Sequence, residues 1–224
     1  MRVRMKIRKG EEVKFISQLD LMRALERAIR RAELPVKFTE GFNPRPRISF
    51  TPALPVGMTS DAEYMDVEFA GELPLDRILA RLNSCLPPGI SVLKADTAEG
   101  KIPLSSVNRA IYTVVVDAGG DATPELLDKA IAELLARPEI TVTKTSKGKV
   151  KNINISPLIY SIKITRVEGS RAELRMELAA GQEGNVTPPV VIKALLEYIP
   201  TITVCRMNRD ELFLVREGKR NDPI

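Results

Sequence analysis

The sequence contains no histidine and no tryptophan, and aromatic residues make up only 4% of its 224 positions. Histidine is the side chain that most often exchanges protons near neutral pH, so acid–base chemistry here would need other groups. The two cysteines, Cys85 and Cys205, are too few for a disulfide framework or a metal cluster, and we expect both to be small buried hydrophobes. These absences disfavour chemistry that depends on imidazole or on clustered thiolates.

Long apolar runs are also absent. The longest apolar runs in the sequence are far shorter than a membrane span. The N-terminus alternates charged and apolar residues, whereas a signal peptide needs a continuous apolar stretch. We therefore expect a cytoplasmic protein without a membrane segment. No glycine-rich phosphate motif follows a predicted strand, and Asp61, Glu63, Asp66 and Glu68 are typical of a charged strand rather than of a metal site. Neither metal nor cofactor is expected.

Positive charge is concentrated near the N-terminus. The first 50 residues contain 13 lysines and arginines against 6 acidic residues, a net charge of +7 in a chain whose total is +5. With 44% hydrophobic and 28% charged residues, the chain has the composition of a globular protein of one or two domains. A basic region of this kind indicates an anionic partner but does not identify it.

The most informative segment is Gly41–Arg47, which reads Gly-Phe-Asn-Pro-Arg-Pro-Arg. Its two prolines restrict the backbone on both sides of Arg45, so Arg45 and Arg47 are predicted to project from a stiff loop. A guanidinium held in this way suits phosphate or carboxylate recognition, and Phe42, next to Asn43, offers a ring on which a base can stack. The alternative is an ordinary turn with solvated arginines and with Phe42 in the core.

A basic helix is predicted immediately before this loop. Ser17 and Asp20 form the start of a capping box, and a helix should run from about Gln18 to Glu33 before Pro35 stops it. Four arginines fall within an arc of about 100° on one face of this helix, opposite an apolar stripe. They are Arg23, Arg27, Arg30 and Arg31. Like charges repel one another, so a polyanionic partner explains this stripe better than solvation alone.

A second basic stretch lies in the C-terminal half. Lys147, Lys149 and Lys151 surround Gly148, and no acidic residue occurs between Glu139 and Glu168. This lysine-rich hairpin is either a further nucleic-acid contact or a solvated turn, and the pattern leaves both open.

Hydrophobic periodicity divides the chain into two similar halves. Each half reads strand, helix, strand, strand, helix, strand, which predicts an α+β protein with two tandem ferredoxin-like (βαββαβ) domains. The predicted domains are residues 1–98 and 108–224, joined by a polar stretch at 95–109. The lysine-rich hairpin lies between the predicted strands 139–144 and 158–165.

The N-terminal half also resembles a known family. The segments 15–32, 34–35, 40–50 and 54–57 are similar to the radical-SAM-linked domain family, and 147–149 with 155–159 resemble its second motif more loosely. The resemblance implies an accessory domain fused to, or encoded beside, a cobalamin-binding-type radical SAM protein. Gln18 and Arg45 stand where that family usually has histidine, which leaves hydrogen-bonding and cationic roles but not imidazole chemistry. Without a cysteine cluster, the chain itself cannot hold the iron–sulfur centre of a radical SAM enzyme.

Three functions follow from these observations. The first is a non-catalytic module that binds RNA or presents it to a radical SAM partner, with the helix arginines adjoining Arg45 and Arg47. The second is an endoribonuclease analogous to the RAMP-superfamily CRISPR repeat-processing enzymes, in which Tyr64, Tyr112, Tyr160 or a lysine would replace histidine. The third is an adaptor that docks an acidic protein surface. The lack of histidine favours the binding module.

Overall fold

The structure, a computed structural model, describes residues 1–119, 123–146 and 149–224, without the side chains of residues 144–146 and 149–151. The described residues form an α+β protein with four α-helices and eleven strands, which confirms the predicted class. The chain divides into two compact units, Met1–Val107 with Arg209–Ile224, and Asn108–Asn208. None of the described helices is long and apolar enough to cross a membrane.

The first unit begins with the elements that the periodicity predicts. They are β1 (Arg2–Lys9), α1 (Gln18–Arg31), β2 (Ile48–Phe50), β3 (Thr59–Glu68), α2 (Leu75–Cys85) and β4 (Ile90–Thr97). The start of α1 is set by Ser17, whose hydroxyl accepts a hydrogen bond from the Asp20 amide at 3.2 Å and donates one to the Asp20 carboxylate at 2.6 Å. This cap satisfies an amide that the first helical turn leaves without a backbone partner.

β4, β1 and β3 are neighbours in that order, β2 also pairs with β3, and each of these three pairs is antiparallel. Alternate residues of β1 and β3 face the helices and form the core, among them Val3, Met5, Met65 and Val67. The apolar stripe of α1, which includes Leu21 and Leu25, packs onto the same core. The arginine stripe of α1 is therefore turned to solvent.

The second unit contains a second set of strands and helices. They are β5 (Arg109–Asp117), α3 (Pro124–Ala136), β6 (Thr141–Ser146), β7 (Lys149–Asn154), β8 (Ile159–Glu168), β9 (Arg171–Ala179) and α4 (Pro188–Leu195). β5, β9 and β8 are neighbours in that order and antiparallel, whereas β6 and β7 form a separate two-stranded sheet. The lysine-rich segment thus contributes a strand, β7, which the sequence did not predict because its two apolar residues do not alternate with polar ones.

The last part of the chain differs most from the prediction. β10 (Thr203–Arg216) is a 14-residue strand at the place of the last predicted strand, and β11 (Lys219–Asn221) pairs with it. Residues 209–224 group with the first unit, whereas the sequence suggested a second domain at 108–224. The stretch 95–109 was expected to be a polar joint between the domains, but residues up to Val107 belong to the first unit, with Leu104 and Val107 buried. Cys205 was expected to be buried and is exposed, because the first four residues of β10 are exposed on both faces of the strand.

Charged residues are buried in the first unit. The Arg4 guanidinium contacts both oxygens of Asp66 at 2.7 and 2.9 Å and donates to the carbonyls of Ile102 and Pro223. Arg209 makes a similar buried pair with Glu63. The acidic pattern of β3, expected from the sequence to be a charged strand, therefore includes two carboxylates that serve as internal anchors. Among the described residues, no group of three or more Cys, Asp or Glu side chains is placed to hold a metal ion.

Candidate nucleic-acid interface

The arginine stripe of α1 is exposed along its length. Arg23 pairs with Asp20, one turn earlier, at 3.6 Å. Within the described part of the chain, the guanidinium groups of Arg27 and Arg30 have no carboxylate or carbonyl partner. They are therefore free to contact an external anion.

The segment between α1 and β2 is a short hairpin held by backbone hydrogen bonds. The Thr39 amide donates to the Arg45 carbonyl at 2.8 Å, the Arg45 amide donates to the Thr39 hydroxyl at 3.0 Å, and the Arg47 amide donates to the Lys37 carbonyl at 2.8 Å. We call residues 37–47 the proline hairpin. The Lys37 amide donates to the Glu68 carbonyl at 2.7 Å, so the base of the proline hairpin is tied to β3.

The tip of the proline hairpin is the most exposed part of this region. Gly41 has φ 122°, a conformation that strongly favours glycine, and it turns the chain at the tip. Phe42 is fully exposed, with a relative accessibility of 105%, rather than in the core, and Asn43 beside it is exposed as well. Among the residues that the structure describes, none provides a charged partner for the Arg45 side chain. The hairpin therefore presents an aromatic ring and an unpaired cation from an ordered backbone.

Two further predicted arginines, besides Arg23, have partners within the molecule. Arg31 donates to the carbonyl of Cys85, at the C-terminal end of α2, where a cation is favourable. Arg47 pairs with Glu68 at 3.3 Å. Val67 and Phe69 face the helical core, so Glu68 and its partner Arg47 lie on the opposite side of the sheet from α1. The structure therefore does not bring Arg47 beside the helix arginines as the sequence suggested.

A cleft lies between α1 and the proline hairpin. It has a volume of about 220 Å³. Its floor is apolar, and its lining includes the partly exposed ring of Phe38 and the side chain of Pro46. Glu26 and Arg30, one helical turn apart, are its charged lining residues. The sequence did not identify Glu26 as a site residue, because the cleft depends on how the hairpin packs beside the helix.

The side chains of the lysine-rich hairpin lie outside the described part of the structure. Lys147 lies outside the described residues, and Lys149 and Lys151 lie in β7 without described side chains. Their role in binding remains a prediction.

The tyrosines considered as replacements for histidine are not arranged for acid–base chemistry. Tyr64 is buried, and burial together with the nearby carboxylates Asp222 and Glu211 raises its pKa to about 12. Tyr112 is buried too, and Tyr160 is stacked on the Arg109 guanidinium with its ring centre 3.6 Å away. A phenol with a pKa near 12 is protonated at neutral pH, so Tyr64 is a poor general base.

Comparison with solved structures shows a likeness of fold. The chain is similar to one in "Crystal Structure of a Cbf5-Nop10-Gar1 Complex", with a TM-score of 0.55, 10% identity and coverage of 94% of this chain and 48% of that one. It is also similar to one in "Structure of H/ACA RNP bound to a substrate RNA containing 2'-deoxyuridine", with a TM-score of 0.51, 10% identity and coverage of 96% and 47%. The chain thus spans about half the length of these solved chains. No curated protein matches the sequence.

Comparison with family models identifies a family by sequence. The matching model is described as "Uncharacterized protein conserved in bacteria", and it aligns with residues 2–188. This match spans both compact units and includes α1, the proline hairpin and the lysine-rich hairpin. The chain therefore belongs to the bacterial family DUF2344.

Proposed function

We propose that this protein is a non-catalytic RNA-binding module that holds RNA against α1 and the proline hairpin and presents it to a partner enzyme. The observation that carries the proposal is the set of three exposed arginines without partners in the described structure, Arg27, Arg30 and Arg45, together with the fully exposed ring of Phe42 at the tip of the proline hairpin. Arginines contact phosphates, and an exposed aromatic ring stacks on an unpaired base. RNA is the partner that uses both.

The proline hairpin supports tight binding because it is ordered before the partner arrives. Its two arms are joined by two backbone hydrogen bonds, one between Lys37 and Arg47 and one between Thr39 and Arg45. A preordered loop loses less conformational entropy on binding than a flexible one. Arg45 should therefore contribute more to affinity than either of the two helix arginines.

The fold is consistent with this function. We propose that each unit is a ferredoxin-like fold. In the first unit this is supported by the neighbouring strands β4, β1 and β3, with β2 paired to β3. In the second unit it is supported by the neighbouring strands β5, β9 and β8, with the opening residues of β10 beside β5 in the sheet. One of the structurally similar proteins is described as bound to a substrate RNA. The radical SAM identity of the partner enzyme rests on the sequence resemblance alone.

The test is fluorescence anisotropy of labelled single-stranded and structured RNA at several salt concentrations. We expect each of Arg27→Ala, Arg30→Ala and Arg45→Ala to weaken binding and to flatten the slope of log affinity against log salt by about 0.7 to 1. Arg77→Ala is the matched control, because Arg77 is an exposed arginine on α2 without a partner in the described structure. It should leave the affinity nearly unchanged.

Three outcomes would contradict the proposal. Equal losses for Arg77 and Arg45 would show that only overall charge matters. A wild-type protein that binds no RNA but is retained by an acidic protein surface would favour the adaptor function. Specific cleavage of the RNA during the measurement, visible on a gel, would favour the endoribonuclease.

A further inference from the structure

The cleft between α1 and the proline hairpin has features that arginine–phosphate binding does not explain. Glu26 is a carboxylate within a basic surface, and it is half-buried at the edge of the cleft. A glutamate and an arginine four residues apart on a helix commonly form an ion pair. Glu26 and Arg30 form none, and Glu26 has no other partner within the described ranges.

The dimensions and lining of the cleft suit a flat ring system. Its volume of about 220 Å³ is below the range of roughly 300 to 1,000 Å³ typical of pockets for drug-sized ligands. Ile29 and Leu34 are buried and form part of the floor, and 47% of the Phe38 side chain is exposed. These surfaces offer apolar and aromatic contacts to a single planar group such as a nucleobase.

The Glu26 carboxylate determines which base fits. An ionised carboxylate only accepts hydrogen bonds, through two neighbouring oxygens. Guanine alone among the four RNA bases presents two adjacent donors, N1–H and the N2 amino group, on its Watson–Crick edge. We infer that the cleft binds one unpaired guanine base of the RNA, with Glu26 accepting from N1–H and N2–H, Phe38 and Pro46 contacting the ring, and Arg30 contacting a phosphate. This inference rests on the proposed RNA-binding function.

The experiment compares short oligouridylates that carry guanosine, inosine, adenosine or uridine at one central position. Fluorescence anisotropy should show the guanosine RNA bound about tenfold more tightly than the adenosine and uridine RNAs. Inosine lacks the N2 amino group and should fall between them. Tight binding of adenosine in place of guanosine would overturn the assignment.

The Glu26→Gln variant should change two quantities in opposite directions. The amide replaces one acceptor with a donor, so the preference for guanosine should fall to less than about twofold. Removal of a negative charge should at the same time strengthen binding of the uridine-only RNA. A variant that loses affinity for all four RNAs equally, with an unchanged preference for guanosine, would contradict the inference.

Glu99→Gln is the matched control. Glu99 is an exposed glutamate of the same unit and follows β4, whereas β2 pairs with β3 on the far side of β1 from β4. The Glu99→Gln variant should keep the preference for guanosine, although it removes the same negative charge as Glu26→Gln. If the wild type binds the uridine-only RNA in a salt-dependent way but shows no preference for guanosine, the guanine inference fails and the proposed function stands. If no RNA binds, both fail.

Discussion

At the scale of single residues, the first unit depends on buried charge. Arg4 is fully buried, and all of its hydrogen bonds go to Asp66 and to two backbone carbonyls. Lys9 is buried as well and donates to the carbonyls of Lys14 and Ile16, just before α1. Burial lowers the pKa of Lys9. Such groups stabilise the fold only while every partner is present, because an unpaired charge in the interior is costly.

The Asp66→Asn substitution tests this dependence. It leaves the buried Arg4 guanidinium without its counter-charge, so we expect the free energy of unfolding to fall by about 3–5 kcal/mol. Urea denaturation followed by circular dichroism measures the change. Asp61→Asn is the control, because Asp61 pairs with Arg8 at the surface at 3.3 Å and an exposed pair of this kind contributes about 1 kcal/mol or less. Equal losses in the two variants would refute a special role for the buried pair.

At the scale of elements, local signals set the helix boundaries well. The predicted helix at about 18–33 is observed as Gln18–Arg31, and the first helix of the second half is observed as Pro124–Ala136, capped by Thr123. Both caps have a hydroxyl that accepts from an amide three residues on. The sequence did not predict β7, because its residues do not alternate between apolar and polar. β7 forms a strand through its pairing with β6, which local sequence does not show.

The Ser17→Ala substitution tests the cap of α1. Loss of the hydroxyl leaves the Asp20 amide without its partner and should lower the free energy of unfolding by about 1 kcal/mol. The Ser17 hydrogen bonds also lower the pKa of Asp20. Thermal unfolding of the variant measures the cost, with Ser84→Ala as control because the Ser84 hydroxyl bonds only the Arg81 carbonyl and the neighbouring thiol. No loss in the Ser17 variant would show that the cap does not stabilise α1.

At the scale of the whole molecule, the chain leaves its first unit and returns to it. Residues 108–208 form the second unit, and the segment 209–224 then completes the first. This segment supplies Arg209 to Glu63 and the Pro223 carbonyl to Arg4. The first unit is thus built from two parts of the sequence.

A chain ending at Asn208 tests this arrangement. Without Arg209 the buried Glu63 carboxylate loses the guanidinium that contacts both of its oxygens, so we expect amides of β1 and β3 to lose their protection from hydrogen exchange. Amides of β5 and β9 should keep theirs, because they belong to the other unit. A chain ending at Pro223 is the control and should resemble the full-length protein. Retained protection of β1 in the shorter chain would mean that the first unit does not need its C-terminal segment.

Features that depend on residues close together in the chain could be predicted from the sequence. The Ser17 cap, the exposed arginine face of α1 and the turn at Gly41 each follow from a few neighbouring residues. The partners of the charged groups could not be predicted, because those partners lie far apart in sequence. Arg31 meets the Cys85 carbonyl across 54 positions, and Arg209 meets Glu63 across 146. No local pattern encodes such pairs, since they form only after strands and helices have packed and the buried charges have found their counter-charges.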